Sequence, residues 1–165
     1  MEKITLRPVR GLAYPCGRYD DESIALLKAL GIVYARTVVN TGSFNIPEDF
    51  MKWHPTTHHN GNLEEFGSRL LNESYGMNLL YVWGHSYEFN DRQNWDHIEA
   101  FCKKMQGIES VWYATNIEIY DYVQACKRLI FGIDGTVVEN PSAIPVWIRS
   151  NQEVVEIPAG AVVQL

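Results

Sequence analysis

His85 stands directly after the apolar run Met77 to Trp83 and a glycine, Gly84, that lets the backbone turn. An imidazole in that position can act as a general acid or base near neutral pH. Trp83, Tyr87 and Phe89 flank it, and such rings wall a sugar pocket or fill a core equally well. Arg36 lies within a second apolar run, Ile32 to Val39. A charge there needs a partner, so Arg36 is expected to hold a carboxylate, as a structural ion pair or within a site.

The segment His54-Pro55-Thr56-Thr57-His58-His59 carries three imidazoles and invites a metal reading. His54 and His58 would share one face of a helix, but Pro55 and the two threonines argue against a helix. On a strand the same two residues lie ~13 Å apart. They ligate one ion only if the loop folds sharply, and polar loop histidines are the plainer reading. Cys16 follows Tyr14-Pro15 near a helix start, where a thiol pKa can fall, yet no neighbouring base is assigned to it. Glu22 and Glu118 suit the first turns of helices. There is no Ser-His-Asp order and no nucleophile elbow.

The elements that must position these residues alternate in period. Val9 to Tyr14 reads as a short strand. Asp20 or Asp21 caps a helix with Ile24, Leu27 and Leu30 on one face, stopped by Gly31. Ile32 to Val39 reads as a buried strand, Asn40 to Phe50 as a loop and Met51 to Thr57 as a strand. Asn62 to Glu65 resembles a capping box with Asn in place of Ser or Thr. Met77 to Trp83 is the clearest strand, followed by a loop and a helix from about Trp95 to Met105. Val111 to Ala114 reads as another short strand, and Thr115 to Glu118 as a capping box. In strand–helix folds the reactive groups gather where strands end and loops begin, which is where Tyr14, Cys16, His85 and Asn116 fall. From Ile130 to Leu165, turn residues separate short alternating runs, the pattern of β-hairpins.

Composition bounds the function. The 165 residues carry a net charge of −6 and no basic tract, so nucleic-acid binding is not expected. No run approaches the ~18 apolar residues of a membrane helix. The N-terminal segment lacks the apolar core of a secretion signal, and a cytoplasmic location is expected. Cys16, Cys102 and Cys126 lack metal-site spacing and read as free thiols. Five Trp and nine Tyr suit stacking on sugar rings or the filling of a core.

Arg10-Gly11-Leu12-Ala13-Tyr14-Pro15-Cys16-Gly17-Arg18-Tyr19-Asp20, followed by Leu30-Gly31-Ile32 and Ala35-Arg36-Thr37, resembles the middle of a polysaccharide deacetylase domain. Tyr81-Val82-Trp83-Gly84-His85-Ser86-Tyr87 resembles the late Leu-x-His segment of that family. The resemblance implies a distorted (β/α) barrel that hydrolyses acetyl groups on amino-sugar glycans. It implies a divalent metal, usually zinc, that polarises the acetyl group and the attacking water. His85 takes the place of the general acid, and Trp83 that of an apolar residue of the acetyl pocket. Cys16 takes a Tyr position whose backbone N–H faces the oxyanion. Ala13 stands where the family has Arg, and Arg36 is the candidate substitute. Tyr14 and Tyr87 are the remaining expected substrate contacts.

The family's Asp-Asp and His-x-x-x-His segments, which supply the base and the metal ligands, have no counterpart before Cys16. The expectation is therefore a partial (β/α) barrel over residues 1–129 with a β-hairpin tail over 130–165, the C-terminal half of a deacetylase-like domain. It would bind no cofactor alone and show little or no activity alone. Open strand edges favour self-association or a complementing N-terminal chain. The alternatives are a glycan-binding subunit without catalysis, and a small metal-dependent hydrolase built on His54, His58 and His85.

Overall fold

A computed structural model describes residues 2–73 and 76–165. The protein is mixed α/β, with six α-helices and four small sheets among the described residues. It divides into two compact units between Tyr113 and Ala114. Helix α6 therefore groups with the strands that follow it, and not with the helices before it.

In the first unit, helix α1 (Glu2–Thr5) precedes strand β1 (Gly11–Ala13), which pairs in parallel with β2 (Tyr34–Arg36). Helix α2 (Asp21–Ala29) makes the crossover. Its start is set by Asp20 and Ser23, each side chain bonding the other's backbone N–H, which satisfies donors that a helix N-terminus leaves open. Ile24 and the adjoining Leu27 pack on Tyr14, Ala35 and Met51. Leu30, expected on the same face, is the C-cap and is 70% exposed.

Strand β3 (Thr57–His58) pairs in parallel with β4 (Val82–Trp83). A single parallel bridge, Arg36 to Trp53, links the chain leading into β3 back to β2. The four strands thus follow one another in chain order, all parallel. Among the described residues they do not close into a barrel.

These strands are shorter than the apolar runs suggest. Pro55 has no N–H to give to a ladder. Thr56 inserts its side chain into the next position: its Oγ1 accepts from Tyr81 N and donates to Leu79 O. Leu79 N turns instead to Phe44 O. Regular pairing is confined to two residues on each side. The expected strand Met51–Thr57 begins as a 3-10 turn, Phe50–Lys52, in which Asp49 caps Met51 N. The expected strand Val111–Ala114 is a turn and coil, with Val111 N bonded to Ile108 O.

Helix α3 (Leu63–Asn72) is capped by Asn62, which accepts from Glu65 N. It packs on α5 (Trp95–Met105) at Gly67, where a Cβ would lie 3.0 Å from the Met105 sulfur. Between them runs a short helix, α4 (Ser86–Arg92), in a stretch that reads as loop from sequence.

The second unit holds α6 (Asn116–Lys127), β5 (Ile130–Phe131), β6 (Val137–Glu139), β7 (Val146–Ser150), β8 (Glu153–Ile157) and β9 (Val162–Gln164). Thr115 and Glu118 form the expected capping box. The tail is antiparallel, as expected of hairpins: β7 pairs with β8, and β6 lies between β5 and β9. Asn140, fully buried, donates to the carbonyls of Ile144, Ile157 and Pro158. It ties the turn before β7 to the end of β8.

Candidate functional site

The polar centre of the first unit is Glu88, on the first turn of α4. Three imidazoles surround it. His85 Nδ1 lies 2.8 Å from Glu88 Oε1, and His58 Nε2 lies 3.4 Å from the same oxygen. His59 Nε2 lies 3.5 Å from Oε2. Asn60 donates to Oε2 at 3.0 Å, and Arg92 approaches it at 3.7 Å. So many positive or donor groups hold the Glu88 carboxyl well below the usual range, at about 2. The hydrogen bond from the His85 ring is the largest cause, and partial burial works against it.

Local structure explains the convergence. His58 ends β3 and His59 follows it, its N–H bonded to Trp83 O. Gly84 and His85 follow β4, the parallel neighbour. Gly84 is required here: a Cβ on it would lie 1.6 Å from His59 Cδ2. The bare backbone lets the His59 ring lie flat against it, with Phe89 on a ring contact of 4.2 Å. His97 from α5 hydrogen-bonds the His59 carbonyl at 3.0 Å. The result is an imidazole 3% exposed whose two ring nitrogens find no hydrogen-bond partner among the described residues. Burial pushes its pKa below the ordinary 6.5; His58 adds to the lowering and Glu88 opposes it.

The other expected residues fall in three places. Trp83 and Arg36 adjoin the cluster: the Arg36 guanidinium lies over the Trp83 ring at 4.5 Å, and the His58 ring meets Trp83 edge-on at 4.7 Å. Trp83 Nε1 donates to Asn40 Oδ1. Among the described residues Arg36 does not hold the expected carboxylate. It donates to Thr37 O at 2.9 Å, and its charge rests on an indole face instead. Tyr87 is 61% exposed beside His85, at 5.3 Å between rings.

Tyr14 and Cys16 lie on the earlier turn. Tyr14 is 5% exposed, stacked on Tyr19, and its hydroxyl donates to Met51 O. Its ring is thus part of the core. Cys16 is exposed in a 3-10 turn with φ of 53°. His54 stands apart from His58: its Nδ1 meets Thr37 Oγ1 at 2.6 Å. It lines a cleft of about 450 Å³ with Thr41, Ser43, Ile46, Pro47, Asp49 and Lys52.

The residues that could hold a metal are therefore His58, His59 and Glu88, with one ligand atom from each within 4.8 Å of the others. His54, expected with His58 and His85 in the alternative metal set, is not in this group. Sequence reasoning missed Glu88. Its signal was the spacing His85-x-x-Glu88 at a helix start, where residues three apart face each other.

No family model, no curated protein and no solved structure matches this chain. No helix among the described residues is long and apolar enough to cross a membrane.

Proposed function

We propose that this chain carries the acid side of a deacetylase-type active site acting on amino-sugar glycans, within a partial (β/α) barrel. The observation that carries the reading is the His85–Glu88 pair at 2.8 Å, at the end of the parallel strand β4 and open to solvent on the His85 side. Glu88 accepts from Nδ1 and so leaves Nε2 outward. A charged imidazole held this way gives its Nε2 proton to the departing amine or alkoxide and remains bonded to Glu88 through Nδ1–H. Glu88 also stabilises the charged ring before transfer. Trp83, backed by Arg36, and Tyr87 offer surfaces for the acetyl group and the sugar.

The base and the family's metal ligands have no counterpart among these residues. The reading has them supplied by another segment or chain. Acetate release from N-acetylglucosamine oligomers tests it. Release is expected when the chain is mixed with a deacetylase half bearing the Asp-Asp and His-x-x-x-His segments, and is expected to fall at least a hundredfold in His85→Ala. Equal release by the variant would sink the reading.

A second reading, glycan binding without cleavage, draws support from Tyr87, whose ring is exposed beside His85. It predicts oligosaccharide binding that survives His85→Ala and no acetate release in any mixture.

A further inference from the structure

We propose that His58, His59 and Glu88 bind one divalent transition-metal ion of the zinc class, at a site separate from the one the deacetylase resemblance implies. The inference does not rest on the deacetylase reading. Two imidazoles and a carboxylate are the donor set of open zinc sites, which keep a further position for water or substrate. Zinc bonds nitrogen and oxygen at about 2.0–2.2 Å, so neighbouring ligand atoms of a tetrahedron lie about 3.3–3.5 Å apart. His58 Nε2 and His59 Nε2 lie 3.4 and 3.5 Å from different Glu88 oxygens, and one ligand atom from each residue lies within 4.8 Å of the others, so small side-chain rotations bring the three onto one ion. Calcium and magnesium prefer six or more oxygens and are disfavoured by this set.

The independent observation is His59. It is 3% exposed, packed by Gly84 and Phe89, and neither ring nitrogen has a hydrogen-bond partner among the described residues. A buried imidazole with no hydrogen bond, and only the Glu88 Oε2 contact at 3.5 Å from Nε2, calls for an explanation, and a metal lone-pair acceptor beside Nε2 supplies one. The rest of the surroundings are those of a ligand set held in place. Asn60 orients Glu88 through Oε2, and His97 fixes the His59 carbonyl.

His58 must change tautomer. Its Nδ1 now accepts from Asn60 N at 3.3 Å, which leaves the proton on Nε2. On binding, that proton moves to Nδ1 and Nε2 meets the metal, with no net proton released from a neutral ring. Turning the Asn60 amide gives the Nδ1–H an acceptor in Oδ1 and gives up the Nδ2–H bond to Glu88 Oε2, which the metal replaces. Arg92, half exposed at 3.7 Å from Oε2, opposes the ion and swings outward. His85 keeps its bond to Oε1, so one carboxylate joins the metal to the imidazole at the surface.

The test uses the full chain, stripped with chelator and kept reduced, titrated with Co²⁺ and then with Zn²⁺ in competition. The proposal expects one Co²⁺ per chain, displaced by Zn²⁺, with tetrahedral visible bands and no thiolate charge-transfer band. His58→Gln and Glu88→Gln, each checked for folding by circular dichroism, should weaken binding at least tenfold. His54→Gln should bind as the parent does. Absence of saturable binding, a thiolate band, binding that persists in folded His58→Gln, or loss of binding in folded His54→Gln would each overturn it.

Discussion

His85 and Glu88 face each other across the first turn of α4, Nδ1 to Oε1 at 2.8 Å, and His58, His59, Asn60 and Arg92 are arranged around the same carboxylate. A carboxylate held by three imidazoles, an amide and a guanidinium is a stabilising group whose loss should be felt beyond the site.

Glu88→Gln removes the negative charge and leaves His58, His59 and Arg92 facing a neutral amide. The thermal midpoint should fall by a few degrees near neutral pH. Because the folded-state pKa of Glu88 is depressed to about 2, its contribution is fully present above the unfolded value of 4.5 and disappears as pH falls toward 2. The gap between parent and variant should therefore narrow below about pH 4.5. Thermal scans of both proteins at several pH values measure it.

His59 titrates with the opposite charge but the same slope. Its folded-state pKa is depressed by burial, so below 6.5 the unfolded chain binds a proton that the folded chain resists. Stability from this residue is present above pH 6.5 and is lost as pH falls. Glu88 opposes the effect while His58, Arg92 and His97 reinforce it. Urea midpoints from pH 7.5 to 5.5 should fall more steeply for the parent than for His59→Leu.

Gly84→Ala should be among the most damaging single changes in the first unit. The new Cβ would meet the buried His59 ring at 1.6 Å, and the bond from His59 N to Trp83 O ties the two segments together. Relief requires moving the imidazole or parting β3 from β4. A loss of about 2–4 kcal/mol is expected in denaturant unfolding, on the scale of overpacking and backbone strain combined.

Asn140→Ala tests the second unit. Three carbonyls, that of Ile157 buried, would lose their donor. Unfolding free energy should fall by about 2–3 kcal/mol, and exchange protection should drop first at Ile144, Ile157 and Pro158's neighbours.

What the sequence reveals of this fold is its local chemistry. The starts of α2, α3 and α6 follow from Asp20, Asn62 and Thr115, because a cap bonds backbone three residues away and needs nothing distant. The span of α5 is legible for the same reason, its apolar residues recurring at helical spacing. Strand lengths are not local. Whether Met77 to Trp83 pairs along its length depends on Pro55 and Thr56 across the sheet, and those residues break the ladder. The site divides likewise. His85 is visible at the end of an apolar run. Glu88 sits in Ser86–Arg92, whose polar residues read as loop, and His59 is buried only because Gly84 and Phe89 come to it from a distant segment.

The most direct test of the site's assignment is an NMR titration of the chain with N-acetylglucosamine oligomers, following the imidazole nitrogens, the Trp indole N–H groups and the Tyr rings. The account predicts that His85 Nε2, the Trp83 indole and the Tyr87 ring shift together and saturate, while His54 stays still. Shifts confined to His54 and its cleft, or no shift at His85, would contradict it.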